Sequence, residues 1–252
     1  LTVRETLLYA VLFRLPASID HATKMKRVDK ILDMLNLTPY ANAVVGGMYF
    51  RGISGGQMKR LSIGVEIINL PDLIFLDEPT TGLDSTMSLE VMTSVRNLAN
   101  QHRTVICTIH QPSRDLFKLF DKIILLSRGQ LIYFGCTTAM LQYFAGIFEY
   151  NKRQNPAEFI ISAASGELPN KDGVILSISE LAEAYTTSSD AASHRESLHR
   201  PEIAVANEEV MKESAYRTDT WTQIYTICHR EYVKMIRMKS GHISNCVRYA
   251  QY

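Results

Sequence analysis

Leu73-Ile74-Phe75-Leu76-Asp77-Glu78-Pro79 and, further on, Thr104-Val105-Ile106-Cys107-Thr108 decide the fold class. Each is a short apolar run of the buried-strand type, bounded by turn residues. Pro71-Asp72 breaks the chain before the first run. Between the two, Leu89, Met92, Val95 and Leu98 recur at helical spacing, with Ser85 placed to cap that helix. Strands alternating with helices argue for an α/β layered domain with a mostly parallel central sheet. Ligands in such sheets sit beyond the carboxyl ends of the strands. Asp77, Glu78 and His110 all follow such ends, which turns three separate residues into one candidate site.

Working outward, Thr2-Val3-Arg4-Glu5 has capping-box form and Leu7, Leu8, Val11 and Leu12 continue it as a helix that Leu15-Pro16 ends. Val28, Ile31, Leu32 and Leu35 predict a second helix over roughly 21–36, and Met58, Leu61, Val65 and Ile68 a third. Downstream, Lys122 to Leu126 and Leu131 to Phe134 flank Ser127-Arg128-Gly129-Gln130, the pattern of a hairpin. From about Gly166 to Arg217 the pattern dissolves into Ser, Thr, Ala and charges, as in a partly disordered linker. Periodicity then returns: Trp221, Ile224, Tyr225, Cys228, Tyr232, Met235 and Ile236 share one helical face, with Arg230, Lys234 and Arg237 on the other.

The formal net charge of +1 gives no support to a nucleic-acid binder, which would be clearly basic. Cys107, Cys136, Cys228 and Cys246 match no metal or redox spacing and read as reduced thiols. No stretch approaches the roughly 18 uncharged apolar residues that a spanning helix needs. The first residue is Leu, and the chain reads as part of something longer.

Three elements carry chemistry. Ser54-Gly55-Gly56-Gln57 opens a helix; the glycines let backbone N–H groups approach an anion closely, and the helix start adds partial positive charge. Taken alone it would be an ordinary Ser-capped turn. Asp77 and Glu78 place two carboxylates at a strand tip, one suited to holding Mg²⁺ and the other to orienting and deprotonating a water. His110, in Thr108-Ile109-His110-Gln111-Pro112-Ser113, can hydrogen-bond a terminal phosphate and the attacking water.

In that order and spacing, Ile53-Ser54-Gly55-Gly56-Gln57 resembles the signature motif of ATP-binding cassette proteins, Leu73 to Glu78 their Walker B strand, Gly82-Leu83-Asp84-Ser85 the D-loop, and His110 the switch histidine. Gln57 to Gly64, Thr108 to Ser113 and Asn155-Pro156-Ala157-Glu158-Phe159 are similar to the G (White, pleiotropic drug resistance) subfamily of half-transporters. Ile53 stands where the signature usually has Leu. A larger departure is that no G-x-x-x-x-G-K-[S/T] occurs.

The resemblance implies an α/β, P-loop NTPase-like parallel sheet core with a helical signature subdomain, its N-terminal part missing. Residues 1–165 would be a partial cassette, with the helical subdomain at about 1–70 and the core at about 71–165. Residues 166–217 would be linker, and 218–252 an amphipathic connecting helix leading to a membrane domain. The implied cofactors are ATP and Mg²⁺, and the implied partners are a second nucleotide-binding domain, a transmembrane domain of the same polypeptide and the membrane, with this domain on the cytosolic face. By the same resemblance Asp77 holds the metal, Glu78 and His110 are catalytic, and Ser54, Gly55, Gly56, Gln57 and Asp84 contact nucleotide. The reaction would be ATP hydrolysis coupled to export of a lipid-like or xenobiotic substrate, with the 252 residues inactive alone. Two alternatives stay open: a soluble cassette ATPase, and a degenerate cassette that lends only its signature surface. The reading places the glycine nest and the carboxylate tip on opposite flanks, so that a sister copy completes each site.

Overall fold

The computed structural model describes residues 1–47, 51–198 and 218–249, with backbone alone for 194, 197–198 and 238–249. In chain order the elements are α1 (Val3–Arg14), α2 (His21–Met34), α3 (Gly55–Glu66), β1 (Leu73–Leu76), α4 (Ser85–Ala99), β2 (Thr104–Cys107), α5 (Arg114–Phe117), β3 (Lys122–Ser127), β4 (Gln130–Cys136), α6 (Thr137–Ile147), α7 (Pro156–Ala164), α8 (Ile178–Thr186), α9 (Ser189–Leu198) and α10 (Thr220–Tyr249). They divide into two compact units, Leu1–Thr108 with Glu208–Tyr252, and Ile109–Asn207.

In the first unit the expected capping box forms: the Thr2 hydroxyl accepts from the Glu5 amide and the Glu5 carboxylate from the Thr2 amide. Leu7 and Val11 of α1, Ile31 and Leu32 of α2, Leu61 and Ile63 of α3, and Val91 and Leu98 of α4 fill one apolar core. The three N-terminal helices meet closely at Gly64, where an added Cβ would lie 3.0 Å from Leu35 Cδ1 and 3.1 Å from both Ile31 Cγ2 and Leu7 Cδ2. α4 carries the chain from β1 back to its parallel partner β2, with Leu73 opposite Thr104 and Leu76 opposite Cys107.

Two expectations are corrected here. The cap of α4 is Asp84, whose Oδ1 accepts from the Met87 amide at 2.8 Å, and Ser85 is the first helical residue; the carboxylate reaches the third amide of the helix from an extended residue, as a cap requires. The strands are also less buried than their apolar runs predicted. Ile74 is buried, yet Phe75 is 70% and Ile106 44% exposed. Side chains alternate across a strand, and in a two-stranded pair only one face meets the helical layer.

α10 keeps the two faces that its pattern predicts. Its basic residues pack inward: Arg237 makes a two-pronged ion pair with Glu5, and Arg230 lies 5.8 Å from the centre of the Phe13 ring. Its apolar face points outward, with Trp221 79% and Tyr225 71% exposed.

In the second unit β3 and β4 form the predicted antiparallel hairpin, turning on Arg128 and Gly129, both at positive φ. Ile132, Tyr133, Phe144, Phe148 and Phe159 form its core. The segment beginning at Gly166, expected as linker, carries two helices as far as residue 198; the remainder of that stretch lies outside the described residues. The signal was a second capping box, Ser177 with Glu180, followed by Leu181 and Tyr185 one turn apart. Both are buried, and the Tyr185 hydroxyl donates to the Phe134 carbonyl of β4 at 2.8 Å.

Candidate functional site

Ser54 starts α3 with a full capping box: Gln57 Oε1 accepts from the Ser54 amide at 2.8 Å, and Ser54 Oγ accepts from the Gln57 amide at 3.2 Å. A helix start leaves several amides without intrahelical acceptors. Those of Ser54 and Gln57 are used in the box, and the Gly55 and Gly56 amides lie between them at the helix start. Gly55 is exposed, and a Cβ there would come 3.3 Å from Leu83 Cδ2. Gly56 is buried, and a Cβ there would come 3.2 Å from Met87 Cβ. The second glycine is thus needed for close packing onto the start of α4.

At the tip of β1, Asp77 and Glu78 are exposed. Asp77 Oδ1 accepts from the Thr108 hydroxyl at 2.6 Å, and the Glu78 amide donates to that same hydroxyl at 2.8 Å. Glu78 Oε2 accepts from the Thr81 hydroxyl at 2.8 Å. Lys59 of α3 reaches the Glu78 carbonyl at 3.4 Å. The helix that the glycine nest opens therefore adjoins the turn that follows the carboxylate tip. The Lys59 side chain reaches the Glu78 carbonyl, and Leu83 lies beside Gly55.

The unit thus brings Asp77, Glu78, Ser54 to Gln57 and Asp84 onto neighbouring elements. His110 belongs to the second unit, exposed at a bend and followed by Gln111 at positive φ. Thr81 and Thr108 are the partners that sequence reasoning missed; Lys59 is legible as positive charge near the glycine nest, and its contact with Glu78 is not. Thr81 was findable as the third residue after Glu78, where its amide closes a turn onto the Glu78 carbonyl at 3.2 Å. Thr108 was findable from strand register, and the Lys59 contact only from packing.

Among the described residues no three His, Cys, Asp or Glu side chains form a metal cluster. Magnesium asks for less, since it keeps several waters and takes one or two carboxylates beside substrate phosphates. An exposed carboxylate already oriented by a hydroxyl fits that demand. The Cys107 thiol is free and pushed up by burial, so it stays protonated at neutral pH. A cleft of about 480 Å³ elsewhere in this unit shares no residue with the site; its cations are paired, Arg14 to Glu66 and Lys234 to Glu231.

Residues 110–248 match the family described as ABC-2 type transporter, and residues 1–81 match ABC transporter. The chain is 44% identical to ABC transporter G family member 14 of Arabidopsis thaliana over 68% of its length and 26% of the relative's. It is 42% identical to the broad substrate specificity ATP-binding cassette transporter ABCG2 of Mus musculus, over 66% of this chain and 26% of that one. Similarity to ABC transporter G family member 43 of Arabidopsis thaliana, 32% identical, runs over 98% of this chain and 18% of the relative. The chain therefore spans about a quarter or less of the length of these relatives.

Proposed function

Since the chain belongs to the ABC-2 type transporter family, in its G subfamily, we propose that it supplies the catalytic strand, signature helix and connecting helix of an exporter driven by ATP hydrolysis. The observation that carries this reading is the pair Asp77 and Glu78 at the tip of β1, both held by one Thr108 hydroxyl.

Phosphoryl transfer needs little covalent help from protein; positioning and charge stabilisation do most of the work. Asp77 would hold Mg²⁺, and the ion would supply charge neutralisation at the phosphates. Glu78 orients a water and takes its proton as the water oxygen bonds to the terminal phosphorus and the bridging oxygen leaves. The Gly55 and Gly56 amides and the Ser54 hydroxyl face the nucleotide of a second nucleotide-binding domain; Gln57 and Asp84 also contact nucleotide, and His110 bonds a terminal phosphate. These 252 residues by themselves, lacking a phosphate-loop lysine, do not turn over ATP.

The family match that reaches residue 248 supports a transmembrane domain in the same polypeptide. The outward apolar face of α10, rich in Trp and Tyr, suits the headgroup layer at the cytosolic side of a membrane. No described helix is long and apolar enough to cross a membrane. The substrate is lipid-like or xenobiotic, in keeping with the broad specificity in the mouse relative's name. The test is Glu78→Gln in the full-length transporter, with phosphate release measured in reconstituted membranes. Turnover should fall by roughly 10²–10⁴-fold with nucleotide binding retained; an unchanged rate removes Glu78 as the base and this reading with it.

A further inference from the structure

Glu78 has φ +41°, a left-handed conformation that a residue with a side chain keeps only where its surroundings fix it. Three residues fix it: Thr108 with its hydroxyl at the amide, Lys59 at the carbonyl, and Thr81 with its amide at the carbonyl and its hydroxyl at the carboxylate. Thr108 differs from the other two in having a second client. A hydroxyl has one proton to give and lone pairs to receive. Here the proton goes to Asp77 Oδ1 at 2.6 Å, and a lone pair takes the Glu78 amide at 2.8 Å. Strand register puts it there: Leu76 pairs with Cys107, so the next residue stands beside Asp77, and the Thr108 amide donates to the Leu76 carbonyl at 3.0 Å.

We propose that Thr108 is a positioning residue that sets the angle between the two carboxylates, one hydroxyl fixing the metal-holding group and the base together. This rests on the roles given above to Asp77 and Glu78. Serine can do the same work; valine, of the same shape, cannot. Without the hydroxyl, Glu78 loses the acceptor for its amide and Asp77 a donor, and the strained turn relaxes. A displacement of about 1 Å at a reacting group costs on the order of 10²-fold in rate.

The experiment uses the full-length transporter in membranes and steady-state ATPase kinetics. Thr108→Val should lower kcat by about 30- to 100-fold with KM for ATP nearly unchanged, and Thr108→Ser should restore most of the rate. In a Glu78→Gln background, Thr108→Val should add much less than its own loss, because the two act on one step. Wild-type kcat in Thr108→Val, or fully multiplicative losses in the double variant, would overturn the proposal. If Thr108→Val does not accumulate, a folded Thr108→Ser with the rate lost overturns it equally, and a retained rate supports it. Should Glu78→Gln keep full activity, the catalytic reading fails instead, so the two failures are distinguishable.

Discussion

Replacing Glu5 with Gln should loosen α10 from α1 without unwinding α1. Glu5 has two roles. As the third residue of α1 it accepts from the Thr2 amide at 2.9 Å, a cap that Gln fills equally well. It also receives both guanidinium nitrogens of Arg237, at 2.5 Å and 2.7 Å. Hydrogen bonding from Arg237, first among the causes, holds the Glu5 carboxyl down from 4.5 to about 2. At 1.36 kcal/mol per pH unit that drop would be worth roughly 3 kcal/mol as a ceiling. Arg237 is 48% exposed, however, and water screens the pair. Exposed pairs contribute about 0.2–1 kcal/mol, and the forked geometry places this one near the top of that range. A loss of about 1 kcal/mol is a factor of roughly 5 in opening. Hydrogen–deuterium exchange at pH 7 should therefore show amides near Arg237 in α10 exchanging several-fold faster in Glu5→Gln, while those of α1 are unchanged. A depressed carboxyl stabilises fully above its unfolded value and loses that contribution as it is protonated. Wild-type α10 should accordingly approach the variant as pH falls from about 4.5 toward 2, after correction for intrinsic exchange. Equal protection of α10 in both proteins at pH 7, or earlier loss in α1, would refute the reasoning.

Two further predictions concern packing. Gly64→Val forces a side chain against Leu35, Ile31 and Leu7, and should destabilise the first unit by about 1–3 kcal/mol in urea denaturation; an unmoved midpoint would mean that the helices are less tightly seated. Tyr133→Phe should be neutral, or stabilising by up to about 1 kcal/mol, because its hydroxyl is buried with no partner among the described residues and burial pushes its pKa up to about 12. A clear loss of stability on the same assay would show that the hydroxyl is satisfied in solution.

Much of this protein was legible in its sequence because the signals are local. Thr2 with Glu5 and Ser54 with Gln57 are capping boxes written within four residues, and both form. The apolar runs at Leu73 and Thr104 became strands, and Arg128-Gly129 a turn, since backbone preference settles these nearest-neighbour choices. The helices between Ile178 and Leu198 escaped notice because two buried side chains, Leu181 and Tyr185, suffice to dock a short helix while the surrounding composition reads as linker.

Tertiary structure alone decided which groups touch across long separations. Thr108 meets Asp77 through strand register, Lys59 meets Glu78 because α3 packs beside the turn, and Arg237 meets Glu5 across most of the chain length. It also decided which face of α10 turns outward: the amphipathic stripe fixes that there are two faces, and contacts of the basic one with Glu5 and Phe13 select it for α1. Periodicity records how a segment can divide its surface, whereas the choice of partner depends on residues far away in sequence that no local pattern contains.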